Sequence, residues 1–547
     1  MWKTRDGYAA IIPPFRTRRL QRRLRTQYRT DLQARALART LKGLFGKARR
    51  MGSVRGARAS TYPVFRARLG GSRCSTSAVR SEPAAGRAEP VLGPRARRYV
   101  SVHAHRFVRE LSELVAFPSV SSSTRSGPAM SACAAWLARH LRELGAGDAR
   151  VAPTAGHPAV VGRIGADPTR RSVLIYGHYD VQPVEPLSAW RSAPFSPVVR
   201  AGCLYGRGAS DDKGQLFAHL KAIEMLRRLH GRLPVNVIFL IEGEEEIGSP
   251  GLPGLLRRLR SYLAADVVVV SDTSVLPGGR PSLTYGLRGD LYLDVEVSGP
   301  TGDLHSGNYG GAVHNALRVL ASAVAGLYDA DGSVAVPGFR RDARRATVGE
   351  RRYMRRMGPK ESEIRLAIKG AATAGEAGFS SYERMTVRPS LELAGVIGGY
   401  VGPGIKGVIP SRAVAKLDAR LVPDQRPERI HRQIFQHLAR FVPRGLTLRT
   451  RERMRAAPVV LGRAHPAALA AVRAYRRGFG REPVFVRSGG SIPIVSAFSG
   501  LLGVPTVLMG FALPDDGAHA PNERFSLAML SRAILTSASF LDEMARV

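Results

Sequence analysis

From about residue 100 onward, apolar residues recur with two distinct periods. Helical spacing predicts helices over 105–116, 129–145, 214–230, 312–328, 427–441, 465–478 and 526–545. In 214–230, for example, Leu216, Leu220, Ile223 and Leu226 share one face. Strands are predicted over 173–177, 235–241, 266–271, 291–297, 415–422, 484–487 and 504–509. Val173–Tyr176, Val235–Ile241 and Val267–Val270 are continuous apolar runs, the pattern of strands covered on both faces. By contrast, Leu291, Leu293, Val295 and Val297 alternate with Tyr292, Asp294 and Glu296, as in a sheet with one open face.

Helices alternating with buried strands imply an α/β fold with a mostly parallel central sheet flanked by helices. The open-faced pattern marks a smaller α+β unit inserted into it. The expected boundaries are 1–100, a basic and disordered extension; 101–288, the first part of the larger domain; 289–450, the insert; and 451–547, its second part. An Arg-rich polar stretch at 340–385 reads as surface loop and helix of the insert. No apolar run approaches the roughly 20 residues of a membrane span.

Charge sharpens this division. The 547-residue chain carries a formal net charge of +40, yet residues 1–100 alone hold 25 Lys and Arg against four acids, a net +21. Like charges at this density resist collapse into a core. Three readings of the segment stay open: a polyanion-binding arm acting by counterion release, an Arg-rich organellar transit segment, or an extension ahead of the functional start. Cys74, Cys133 and Cys203 are too few and too scattered for a disulfide scaffold or a cysteine-rich zinc site.

The informative chemistry lies where the acids fall. Ligands of open α/β sheets bind beyond the carboxyl ends of the strands. The run ending at Tyr176 continues Gly177-His178-Tyr179-Asp180. The run ending at Ile241 continues Glu242-Gly243-Glu244-Glu245-Glu246, and that ending at Val270 continues Ser271-Asp272. Between the first two lies a Gly-rich turn, Gly206 to Gly214, holding Asp211-Asp212. Singly, the glutamates read as a solvated turn, Asp211-Asp212 as a helix cap, and His178 as a core histidine. Together they bring imidazole and carboxylate to one edge. Arg207 and Lys213 are too few to neutralise so many acids, so divalent metal is the natural counter-charge. Mixed His and carboxylate ligands suit zinc, manganese or cobalt.

With the later motifs Asp303-Leu304-His305-Ser306-Gly307, Ser488-Gly489-Gly490-Ser491-Ile492-Pro493 and Gly517-Ala518-His519-Ala520-Pro521-Asn522-Glu523, these segments resemble a known family over 105–547. It is the dinuclear zinc exopeptidase family of carnosine dipeptidases, carboxypeptidases, aminoacylases, acetylornithine deacetylase and succinyl-diaminopimelate desuccinylase. The carnosine-dipeptidase-like branch is the most similar. The resemblance implies that the larger domain is catalytic and the insert a lid and dimerisation domain. It implies two divalent metal ions, zinc first, with manganese or cobalt as alternatives. Asp211 would bridge them, with His178 and Asp272 on one and Glu246 and His519 on the other. Asp180 would orient His178, Glu245 would be the general base, and His305 of a partner subunit would stabilise the oxyanion.

The function implied is hydrolysis of dipeptides or C-terminal residues by a water that bridges two metals. Arg412, Ser491 and Gly490 are the candidate binders of a substrate carboxylate. An N-acyl-amino-acid deacylase is the alternative within the same chemistry, and polyanion binding through the basic arm the alternative outside it. The expected protein is a cytoplasmic homodimer acting on a small peptide or N-acyl amino acid. Neither a membrane nor nucleic acid is its expected partner.

Overall fold

The computed structural model describes residues 93–299 and 302–547. The readings of the basic segment before residue 93 lie outside the described residues. Helix Pro94–Val102 crosses the boundary expected at residue 100, which is therefore corrected. It starts on a proline at its first turn, where no N–H is needed, and buries Ala96 and Val100.

A nine-stranded sheet forms the larger domain. At its centre, Ser172–His178 pairs in parallel with Asn236–Glu242 on one side and Val267–Val270 on the other. Thr506–Leu508 extends the parallel set beyond Val267–Val270. The sheet is therefore built from chain on both sides of the insert. Consecutive residues alternate between its faces. Val173 and Ile175 join the core under helices such as Lys213–His230 and Leu527–Met544, while Leu174 and Tyr176 join the core on the opposite face. That two-sided burial is why these strands read as unbroken apolar runs. Truncating Ile175, fully buried at 0% exposure, to alanine would cost about 2–5 kcal/mol.

The insert is an antiparallel sheet in the order Ser390–Gly398, Arg412–Leu421, Gly289–Ser298, Thr447–Ala456. Helices Ala316–Ala325 and Pro427–Ala439 cover one face, enclosing a core of its own that includes Leu291, Leu293, Val295 and Val297. The opposite face carries the charged half of the alternation. The last strand runs on to Ala456, so the insert extends past the expected boundary at 450. The Arg-rich stretch 340–385 contains short helices, Val348–Met357, Glu361–Ala367 and Ser381–Thr386, gathered around Met354, Ile364 and Tyr382. Among the described residues, no helix is long and apolar enough to cross a membrane.

Candidate metal centre

The parallel register aligns the strand ends that carry the acids. His178 stands directly opposite Glu242 where their two strands finish. Asp272 follows two residues after the adjacent strand Val267–Val270. The turn 206–212 then leads into helix Lys213–His230, and the loop 513–523 returns from the far side of the insert.

Two groups of potential ligands form at this edge. His178, Glu245 and Asp272 make one, and Asp211, Glu246 and His519 the other; within each, ligand atoms lie within 4.8 Å of one another. Asp211 joins the two. Its Oδ1 is 3.2 Å from His178 Nε2, and its Oδ2 is 3.0 Å from His519 Nε2. His519 Nε2 is also 3.1 Å from Glu246 Oε2. A carboxylate that turns one oxygen to each group is the arrangement two cations a few ångströms apart require.

Supporting residues fix these ligands. Asp180, wholly buried, lies with Oδ1 3.3 Å from His178 Nδ1, and its backbone carbonyl is 3.0 Å from the same nitrogen. The Asp180 carboxylate also accepts the backbone N–H groups of Glu245 and Glu246 at 3.2 and 3.1 Å. One side chain thus orients a ligand of the first group and the backbone of both glutamates. Gln182 donates to Glu246 Oε2 at 2.8 Å, and Asp212 Oδ2 accepts the His178 N–H at 3.3 Å.

The run of glutamates divides its labour. Glu242 is held from below by the hydroxyls of Tyr176 and Ser249 at 2.5 and 2.9 Å. Glu244 accepts the N–H groups of His157 and Gly251, both at 3.0 Å, which closes the loop. Only Glu245 and Glu246 face the ligand groups.

Electrostatics favours cations here. Burial, reinforced by the charge of Asp211, pushes the Asp272 carboxyl up to about 7. Burial and the neighbouring Asp272 and Glu246 carboxylates raise Glu245 well above the ordinary range. Hydrogen bonds donated to Asp211 and Glu246 lift His519 to about 10. Burial would raise Asp211, but hydrogen bonds from His178 and His519 outweigh it and hold the carboxyl low. The two nearby basic residues do not relieve this crowding. Arg207 pairs with Glu523 at 2.7 Å, and Lys213, fully buried, donates to the Phe117 carbonyl at 2.8 Å. The donor set of histidine and carboxylate fits zinc, manganese or cobalt.

The remaining sequence candidates are not members of the two ligand groups. His305 is exposed on the insert, and its Nδ1 accepts the Gly307 N–H at 3.0 Å. That bond leaves the ring proton on Nε2, so the neutral ring is a donor. Gly490 donates its N–H to Ser488 Oγ at 3.1 Å. Ser491 donates its hydroxyl to the Arg288 carbonyl at 2.7 Å. Arg412 is not beside Ser491. It pairs with Glu296 at 2.6 Å at the start of strand Arg412–Leu421, with 64% of its side chain exposed. The arginine that meets Ser491 is Arg420, with Nη1 3.4 Å from Ser491 Oγ. The eight-residue separation along the strand sets Arg412 and Arg420 about 26 Å apart. Arg420 belongs to the alternating pattern of strand Arg412–Leu421, in which periodicity does not distinguish it from any other charge on the polar half.

Residues 174–543 match the model of peptidase family M20/M25/M40. The chain is 32% identical over 461 residues to the Cys-Gly metallodipeptidase dug1 of Schizosaccharomyces pombe, an alignment covering 81% of this chain and 96% of that one. It is likewise 32% identical to the Beta-Ala-His dipeptidase of Homo sapiens, over 84% of this chain and 94% of the relative. Among solved structures, human carnosine dipeptidase 1 matches with a TM-score of 0.73 at 31% identity, covering 84% of this chain and 100% of that one. An M20 family metallo-carboxypeptidase from Sulfolobus solfataricus matches with a TM-score of 0.74 at 32% identity, covering 81% and 99%.

Proposed function

The chain belongs to peptidase family M20/M25/M40, and from that membership we propose that it is a dinuclear metallodipeptidase, with zinc in both sites. The observation that carries this reading is Asp211 turning one carboxylate oxygen to each of two ligand groups. His178 and Asp272 would hold one cation, Glu246 and His519 the other, and Asp211 both. Two cations held there supply Lewis-acid polarisation of the scissile carbonyl and a lowered pKa for the attacking water.

The chain's own groups complete the chemistry. Glu245 accepts the proton of the attacking water and delivers it to the leaving amine. Its backbone is pinned through Asp180, which keeps the carboxylate in reach of both transfers. The carboxylate at the end of the substrate binds Arg420 and Ser491, with the Gly490 turn beside them. His305 donates Nε2–H to the developing oxyanion.

His305 acts from a second copy of the chain. The insert offers an open sheet edge, strand Ser390–Gly398, on which Leu393, Val396 and Ile397 are 41%, 48% and 60% exposed. Tyr400, Val401 and Ile405 continue the exposed apolar surface. Pairing of this edge with its copy covers the apolar residues and removes an unprotected strand edge. Cys133 and Cys203 are free thiols, which suits the reducing cytoplasm.

The test is metal analysis of the purified protein, followed by a panel of dipeptides and of N-acetyl and N-succinyl amino acids, each with and without chelator. Chelator-sensitive turnover of dipeptides is expected. Turnover confined to the acyl amino acids would replace the peptidase reading with a deacylase.

A further inference from the structure

We propose that Glu523 is a positioning residue that locks the turn 206–212 and thereby sets Asp211 in its two-sided pose; this rests on the dinuclear reading above. Glu523 is wholly buried and fully used as an acceptor. Its Oε1 takes the backbone N–H groups of Ser210 and Asp211 at 2.9 and 3.0 Å. Its Oε2 takes the Gly208 N–H at 2.9 Å and Arg207 Nη1 at 2.7 Å. Three N–H groups converge on one carboxylate because Gly208 adopts a left-handed φ of +83°, which turns the backbone into an anion-binding nest. One of the three belongs to Asp211 itself.

The grip extends beyond this carboxylate. The Glu523 carbonyl accepts the Gly206 N–H at 3.0 Å, and strand Arg524–Ser526 pairs with Cys203–Tyr205. Asp516 Oδ2 lies 3.4 Å from Ser210 Oγ and accepts the Leu513 N–H at 2.7 Å. Arg207 supplies the counter-charge and is itself seated on the Pro183 carbonyl at 3.0 Å and over the Trp190 ring. The loop 513–523, encoded after the insert, thus does two things at once. It delivers His519 to one ligand group, and through Glu523 it fixes the carboxylate shared by both.

Glutamine at this position keeps the shape but not the acceptors. Its NH2 group must face at least one of Gly208 N–H, Ser210 N–H, Asp211 N–H or Arg207, leaving a buried donor unpaired. The turn then relaxes, and Asp211 loses its fixed spacing between the groups.

The experiment is chelator competition for Zn2+ on the full chain, comparing wild type with Glu523→Gln. Metal affinity of the variant is expected to fall about 10–100-fold, with unchanged far-UV circular dichroism. A folded variant that binds two zinc ions with wild-type affinity overturns the proposal. Hydrogen exchange of the wild-type chain, with and without Zn2+, decides the matter if the variant fails to fold. The amides of Gly208, Ser210 and Asp211 are expected to stay protected after zinc is removed, because a side chain and not the metal holds them. Protection that appears only with zinc overturns the proposal equally. A wild type that binds two zinc ions and cleaves no dipeptide would defeat the peptidase reading and leave this one standing.

Discussion

Arg420 Nη1 lies 3.4 Å from Ser491 Oγ, joining a strand of the insert to a turn of the larger domain. The same guanidinium meets Asp290 and Asp418, each at 2.9 Å, so its orientation is set before substrate arrives. A charged hydrogen bond to a carboxylate is worth about 1.5–3 kcal/mol. Arg420→Met should therefore raise KM for dipeptides with a free C-terminus about 10–100-fold, and leave any hydrolysis of C-terminal amides unaltered. Arg412→Met should leave KM within about twofold, since an exposed ion pair such as Arg412–Glu296 contributes little. Steady-state kinetics of both variants distinguishes them; a larger effect at Arg412 would return the carboxylate to the residue first expected.

Glu245, the proposed base, and Asp272 share a ligand group with His178, so Glu245 has the placement of a ligand as well as of a base. The two roles differ in what remains after truncation. Glu245→Ala should keep nearly full metal content and lose kcat by about 10²–10⁴-fold. Asp272→Ala should lose metal as well as turnover. Metal analysis beside kcat makes the distinction, and loss of both ions from Glu245→Ala would show that the base is a ligand.

Much of this centre was legible before the fold was known, and for a physical reason. Continuous apolar runs reveal strands covered on both faces, and parallel strands finish together. The residues just past Tyr176, Ile241 and Val270 therefore had to share an edge. The insert's alternation between Leu291 and Val297 revealed its open-faced sheet in the same way. What periodicity could not convey was pairing between distant segments. Arg420 looks like an ordinary charge in the sequence, and the motif that ends in Glu523 does not say what its carboxylate grips; only contacts spanning 71 and 316 residues give them their places. Strand Thr447–Ala456 was missed because Arg449, Arg451, Arg453 and Arg455 alternate with a half that itself contains Thr450 and Glu452, so no apolar period shows.

His305 offers a test that depends on assembly. His305→Ala should bind metal normally and turn over slowly. Mixing it with Glu245→Ala under conditions that exchange subunits should restore activity, because one site of the mixed dimer then holds an intact Glu245 and the partner's intact histidine. Neither parent can regain turnover alone. A mixed dimer verified by tag pull-down that stays inactive would remove His305 from the reaction of the opposite subunit. Wild-type activity in His305→Ala would remove it altogether.

Acid stability reports on two histidines outside the ligand groups. His140 packs against Trp136 with ring centroids 4.9 Å apart and its Nε2 3.0 Å from Lys221 Nζ. Burial, then the Lys221 charge, lowers it to about 4. His219 lies between the hydroxyls of Ser537 and Ser271, at 2.6 and 2.7 Å, and burial lowers it to about 4 as well. The unfolded chain takes up these protons near pH 6.5, whereas the native protein refuses them until about pH 4. Between those values the unfolded state binds more protons, so stability falls as pH falls, and the effect levels off below the native pKa. Each histidine accounts for a loss of about 3 kcal/mol across that window. His140→Gln removes one such group. Its urea midpoint should therefore decline less steeply than that of wild type between pH 6.5 and 4, measured on proteins stripped of metal so that ligand protonation is common to both. Parallel declines would mean that His140 is already protonated in the native protein, paired with the Glu143 carboxylate 3.7 Å away.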